Sequence, residues 1–87
     1  MRWTKQISRG LASQKGYSSR TLFSVARELY IPWGREHKIL VENEYQTIAS
    51  LLLADANRIQ LLRGVGASTF TLIDQFRSTI IEHIESV

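Results

Sequence analysis

Apolar residues recur at helical spacing along most of the chain, and the two-residue alternation typical of half-buried strands is nowhere sustained. Ser18 or Ser19 is predicted to cap a first helix that runs to about Tyr30. Its buried face would consist of Leu22, Val25, Ala26 and Leu29. The segment 32–34, Pro-Trp-Gly, ends this helix because proline lacks a backbone donor. Trp33 is predicted to be a core or corner aromatic, with base stacking as the alternative.

Three short helices are predicted next. The first covers Arg35 to about Glu42 and buries Ile39 and Leu40. Asn43 is expected to cap the following helix, with Gln46 completing a capping box. Its apolar stripe is Ile48, Leu51 and Leu52. Asp55 is predicted to cap the fourth helix, which turns Ile59 and Leu62 inward and leaves Arg58 and Arg63 outside.

A Gly-apolar-Gly turn follows the fourth helix. Gly64 suits a left-handed backbone conformation, Val65 would point into the core, and Gly66 allows a close approach to the backbone. A fifth helix is expected from about Ala67 to Glu85, with an apolar stripe through Phe70, Ile73, Phe76 or Arg77, Ile80, Ile81 and Ile84. The prediction is an all-α fold, a compact five-helix single domain over residues 18–87, preceded by an arm at 1–17.

The start of the fifth helix is a candidate anion site. Amides that open a helix have no intrahelical acceptor and carry the positive end of its dipole. Together with Gly64 and Gly66, the residues around Ser68 and Thr69 resemble the helix-hairpin-helix motif of non-sequence-specific DNA-binding proteins. The alternative is a tight corner between two helices that binds no ligand.

Charge is distributed unevenly. Residues 1–27 carry six basic and no acidic side chains (+6), and residues 28–87 carry five basic and eight acidic ones (−3), for a net charge of +3. The candidate arm contacts to phosphate are Arg2, Lys5, Arg9 and Lys15. Three alternatives stay open for this arm: an organelle transit peptide, a membrane-surface helix through Trp3, Ile7 and Leu11, and a solubilising tail.

The sequence offers little for enzyme chemistry. There is no cysteine, and no nucleotide-binding glycine fingerprint is present. His37 and His83 lack ligand partners at metal-binding spacing and are predicted to be surface or cap residues. The longest apolar run, 48–54, is too short to span a membrane. We therefore expect a cytoplasmic protein that is not an enzyme, without cofactor, metal or membrane partner.

A wider resemblance covers about residues 35–81 and rests on four segments: Arg35–Leu40, the segment from Asn43, Ile48–Leu52 and Ile59–Phe76. Together they resemble the carboxy-terminal domain of the bacterial RNA polymerase alpha subunit. It implies a helical domain that holds the DNA minor groove and docks on transcription activators. It also implies that Arg35 enters the groove, that phosphate approaches Gly66, and that Thr69 contacts phosphate. Lys38 stands in place of an asparagine of that family, and Ser68 in place of a lysine.

The leading hypothesis is a DNA-binding module of bacterial or phage type that contacts backbone phosphates, enters the minor groove and serves transcription regulation. Its predicted binding residues are Arg35, Lys38, Arg63, Gly64, Gly66, Ser68 and Thr69. The main alternative is a protein-interaction module resembling sterile-alpha-motif domains, which suits the acidic body, and a third is a nucleic-acid-positioning subunit of a larger enzyme. A homodimer or partner seam through Ile80, Ile81, Ile84 and Val87 is weighed against packing of that helix within its own domain.

Overall fold

A computed structural model of the protein describes residues 19–85, which form five α-helices. These are α1 (Leu22–Glu28), α2 (Arg35–Glu42), α3 (Ile48–Leu52), α4 (Ala56–Gln60) and α5 (Ala67–Glu85). Within the described residues there is no strand, and the one strand-like pairing is an isolated antiparallel bridge between Thr21 and Thr47. The all-α prediction and the bounds of the second and fifth helices are confirmed.

The bridge joins the starts of two helices. Thr21 caps α1 by accepting a hydrogen bond from the Ser24 amide, and Thr47 caps α3 in the same way for the Ser50 amide. The Ser50 hydroxyl in turn accepts from the Thr47 amide at 3.1 Å. The first amide of each helix is also bonded across the bridge, to Gln46 O from α1 and to Arg20 O from α3, both at 2.8 Å. Donors that a helix leaves unpaired are thus satisfied in both helices.

Two predicted helix starts were wrong. The first helix begins after Thr21 rather than after Ser18 or Ser19, because Thr21 has the extended conformation required of a cap and is held in the bridge. The third begins after Thr47 rather than after Asn43, so the capping-box partner is Ser50 and not Gln46. Asn43 ends α2 instead, and its side-chain amide donates to Ile39 O at 2.8 Å. The prediction that Asp55 caps α4 is confirmed by its bond from the Asn57 amide.

Helices α1 and α2 end in the same way. The residue after each C-cap adopts a left-handed conformation, with φ of 57° at Tyr30 and 71° at Glu44. The Ile31 amide bonds to Ala26 O and the Tyr45 amide to Leu40 O, which are the long hydrogen bonds of the Schellman motif. Glycine usually occupies this position, so the sequence carries no signal for these two turns.

The core lies between α5 and the four shorter helices. α5 packs against α2 and α4. The fully buried apolar side chains include Leu22, Val25, Leu40, Ile48, Leu51, Leu52, Ile59, Ile73 and Ile80. Ile84 is also buried and Ile81 is half-buried against this core, so these members of the predicted seam pack within the domain, while Val87 lies outside the described residues. Phe76 and Arg77 are both buried, and burial lowers the pKa of Arg77 against the opposing charge of Asp74.

Candidate nucleic-acid interface

The turn between α4 and α5 requires glycine at one position. Gly64 has φ of 91°, a conformation that side chains disfavour. The Val65 amide donates to Leu62 O at 3.1 Å, which closes a four-residue turn with Gly64 at its third position. A Cβ atom at residue 64 would lie 3.3 Å from Ile39 Cδ1 and 3.8 Å from Arg35 Nη2. The predicted positive φ is confirmed, and the missing side chain leaves room for two residues of α2.

A cleft lies between this turn and α2. Its volume is about 510 Å³, and its lining consists of Arg35, Lys38, Ile39, Glu42, Arg63 and Gly64. We call it the basic cleft. Ile39 is buried at its base, whereas the three basic side chains are exposed. The fold therefore brings together four of the predicted site residues. Arg35 and Lys38 come from α2, and Arg63 and Gly64 come from the turn after α4, with α3 and α4 between them in the sequence.

The three basic side chains of the cleft have no partner among residues 19–85. In the described part of the chain, Arg35, Lys38 and Arg63 form no ion pair and no side-chain hydrogen bond. Arg20 differs, because its guanidinium bonds to Glu28 at 2.7 Å and to Ser24 at 3.0 Å. Two donors of α2, three residues apart, thus face the same space as Arg63 and are available to an anion.

The start of α5 lies on the other side of the turn. Gly66 precedes the helix, and its carbonyl accepts from the Phe70 amide at 2.9 Å. No atom lies within 4 Å of where a Cβ of Gly66 would be. A second cleft of about 400 Å³ borders Gly66, with walls from Gln60, Val65, Ala67, Phe70 and Thr71. Val65 is half-buried against the core, as predicted.

The first turn of α5 has no side-chain cap among the described residues. A glycine cannot supply a capping oxygen, and no described residue accepts from the amides of Ala67, Ser68 or Thr69. Ser68 is exposed and Thr69 half-buried, and neither lines the basic cleft. The structure therefore places Gly66, Ser68 and Thr69 beside the basic cleft along the chain, but not within it. Arg2, Lys5, Arg9 and Lys15 lie outside the described residues.

The opposite face of α2 is closed by an aromatic stack. His37 is 2% exposed, its ring stacks on Trp33 at 4.8 Å, and it meets Phe76 edge-on at 4.3 Å. His37 Nδ1 accepts from the Gly34 amide at 3.0 Å, so His37 acts as a cap, but from a buried position rather than from the surface. Trp33, 38% exposed, is a corner aromatic that also contacts Phe23.

Burial controls the titration of His37. It lowers the pKa of the imidazole below the ordinary 6.5, while the charge of Glu36 opposes the shift. His37 Nε2 is buried and has no hydrogen-bond partner within residues 19–85. No cluster of three or more potential metal ligands is found in that range. The geometry thus assigns His37 to the core side of α2, away from the basic cleft.

Sequence reasoning missed two residues of the cleft. Glu42 lines it with the three cations, and Ile39 contacts the glycine turn from below. Both positions could have been read from the helical spacing, because Ile39 and Glu42 lie four and seven residues after Arg35. The local sequence pattern does not predict that this face of α2 lies against residues 63 and 64.

No family model, curated protein or solved structure matches this chain. The resemblance to the RNA polymerase alpha domain therefore rests on the residues quoted for it and stays a prediction. Within the described residues, no helix is both long and apolar enough to cross a bilayer.

Proposed function

We propose that this protein is a non-enzymatic DNA-binding module that holds backbone phosphate in the basic cleft. The observation that carries the proposal is the convergence of Arg35, Lys38 and Arg63 on one cleft without an ion pair among the described residues. Unpaired basic side chains repel one another, and a phosphate between them removes that repulsion and releases counter-ions from the nucleic acid. An arginine also presents a planar fork of donors that suits a phosphodiester.

The glycine turn has two roles in this proposal. At Gly64 the absence of a side chain lets Arg35 lie against the turn, close to Arg63 in the cleft. At Gly66 the absence of a side chain leaves the first amides of α5 open to a second phosphate, with the hydroxyls of Ser68 and Thr69 beside them. Binding of this kind positions the protein on the backbone and carries little sequence information. Minor-groove entry by Arg35 and a role in transcription belong to the same proposal, on the strength of the resemblance.

The test compares arginines inside and outside the basic cleft. Arg63→Gln and Arg35→Gln remove cleft cations, while Arg58→Gln removes an exposed arginine that lines a separate cleft with Tyr45 and Asp55. Binding of the full chain to duplex DNA, single-stranded DNA and RNA is measured by fluorescence anisotropy at about 50 mM and about 200 mM salt. The salt slope is the steepness with which the logarithm of the binding constant falls against the logarithm of the salt concentration. Each cleft variant should lower this slope by about 0.9 and weaken duplex binding at about 0.1 M salt roughly eightfold.

The matched control decides between a site and general charge. Arg58→Gln has the same change in net charge, so it should retain most of the affinity if the cleft is the contact. Equal losses for all three variants would indicate diffuse attraction, and unchanged binding by Arg35→Gln and Arg63→Gln would contradict the proposal. Deleting residues 1–16 tests the basic arm, and each phosphate contact that it supplies should reduce the slope by a further 0.9 or so.

A second candidate function rests on a different surface. Phe23 and Trp33 are large apolar side chains that remain substantially exposed, and their rings meet edge-on with centroids 5.2 Å apart. Exposed aromatic pairs are typical of protein-interaction surfaces. Two results together would favour a protein-interaction module. The wild type would assemble in a concentration-dependent way that Phe23→Ser abolishes, and it would show no affinity for DNA.

A further inference from the structure

The basic cleft contains one acidic side chain that the proposed function does not use. Glu42 lines the cleft together with Arg35, Lys38 and Arg63. It lies four residues after Lys38 and seven after Arg35, so all three share one face of α2. With a rise of about 1.5 Å per residue, Glu42 is roughly 6 Å along the helix from Lys38. A carboxylate at this distance lowers the positive potential that the cleft presents to an anion.

Helix stability does not explain an acid at this position. Glu42 is the last residue of α2, and the last turn of that helix contains no basic residue. The C-terminal end of a helix dipole favours cations, so a negative charge there is unfavourable. The order Lys38 before Glu42 is also the weaker orientation for an ion pair at this spacing. Within residues 19–85, Glu42 forms no ion pair and no side-chain hydrogen bond. Its charge therefore acts on the cleft as a whole.

We infer that Glu42 is an internal counter-ion of the basic cleft, which repels phosphate and limits the affinity of the site for a nucleic-acid backbone. The inference rests on the proposed function, because it assigns a role to Glu42 only if phosphate enters the cleft. It makes Glu42 an affinity-setting residue that favours rapid release, and the effect is independent of base sequence because charge repulsion reads only the backbone.

The experiment removes the charge and keeps the shape. Glu42→Gln is compared with Glu44→Gln, an exposed acid two residues away that does not line the cleft. The full chain is titrated against an A·T-rich and a G·C-rich duplex of equal length by fluorescence anisotropy. Glu42→Gln should tighten binding to both duplexes about two- to fivefold, and the gain should shrink with added salt. Glu44→Gln should leave both affinities close to the wild-type values.

The outcomes separate this inference from the proposed function. If Arg63→Gln weakens binding while Glu42→Gln leaves it unchanged, the counter-ion role is overturned and the cleft still binds DNA. If neither variant changes binding, the proposed function fails as well. Weaker binding by Glu42→Gln, confined to the G·C-rich duplex, would instead show that the carboxylate accepts a hydrogen bond from a base amino group, which also overturns the inference. Helicity and thermal midpoint are compared first, and Glu42→Ala serves as the second variant if Glu42→Gln does not fold.

Discussion

The starts of α1 and α3 differ sharply from the start of α5. Thr21 and Thr47 cap their helices with hydroxyl groups, and the bridge between them satisfies the first amide of each helix. Gly66 offers α5 no capping side chain, and the space beside it is open. α5 tolerates this because its long apolar face is buried, whereas α3 has five residues and depends on its cap. The opening amides of α5 are thus left without an acceptor among the described residues.

The start of α2 is intermediate between these two. Gly34 has no side chain, but the imidazole of His37 reaches back and accepts a hydrogen bond from its amide at 3.0 Å. Because His37 is buried under Trp33 and against Phe76, this cap is part of the core. Two glycine starts thus have opposite environments, one closed by a buried ring and one open.

The largest effect is expected at the turn that separates the clefts. Gly64→Ala should lower the free energy of unfolding by about 1–2 kcal/mol, because a side chain at a φ of 91° is strained and its Cβ would crowd Ile39. The thermal midpoint should fall by roughly 5–15 °C. Gly66→Ala is the matched control, because the new Cβ would contact no other residue. Alanine is a poorer cap than glycine, but it also reduces the conformational entropy of the unfolded chain, and these two effects on the free energy of unfolding offset each other. Equal destabilisation by both variants would contradict a special role for Gly64.

The next effect is expected at the capped starts. Thr47→Ala removes the oxygen that accepts from the Ser50 amide at 3.2 Å and should lower the free energy of unfolding by about 1 kcal/mol or somewhat more. Thr79→Ala removes a hydroxyl that, among the described residues, bonds to Gln75 O of its own helix, so it should have little effect. Urea unfolding measures both variants. DNA affinity should be the same in the two, because neither residue lines the basic cleft.

The cap of α2 should make stability depend on pH. The pKa of His37 is lowered in the folded state, so the unfolded chain binds more protons as the pH falls below about 6.5. The contribution of His37 to the free energy of unfolding should therefore be at its maximum above that pH. It should decline as the pH falls below about 6.5 and level off below the folded-state pKa. Urea unfolding of wild type and His37→Gln between about pH 7.5 and 5.5 measures this contribution. A wild-type profile no steeper than that of the variant would exclude it.

The smallest effect on stability is expected at Gly66, before α5. A substitution that stabilises the fold there should weaken DNA binding. Gly66→Asp supplies a capping carboxylate and should raise the free energy of unfolding by a few tenths of a kcal/mol. The same charge should weaken DNA binding about two- to fivefold, because it occupies the donors that a phosphate would use. Gly66→Asn is the control, as it caps equally well without a charge. Equal DNA affinities for Gly66→Asp and Gly66→Asn would show that no phosphate approaches this helix start.

Much of the fold was predictable because the buried face of a helix requires apolar residues at helical spacing in the sequence. The apolar spacing predicted the bounds of α2 and α5, and Asp55 marked the start of α4 because its carboxylate caps through a local hydrogen bond. The caps of α1 and α3 were misplaced for the opposite reason. Several polar residues could cap each helix locally, and a long-range pairing between Thr21 and Thr47 selected among them.

The same distinction applies to the candidate site. The sequence alone determined that Arg35 and Lys38 share a helix face and that Gly64 requires a turn with positive φ, since both follow from short-range geometry. Only the tertiary structure decided that Arg63 faces these two residues, that Ile39 lies under Gly64, and that Glu42 shares their cleft. It also decided that His37 is buried while Arg35, two residues away, is exposed. Helical periodicity defines faces, but packing against α5 determines which face is buried and which remains available to a ligand.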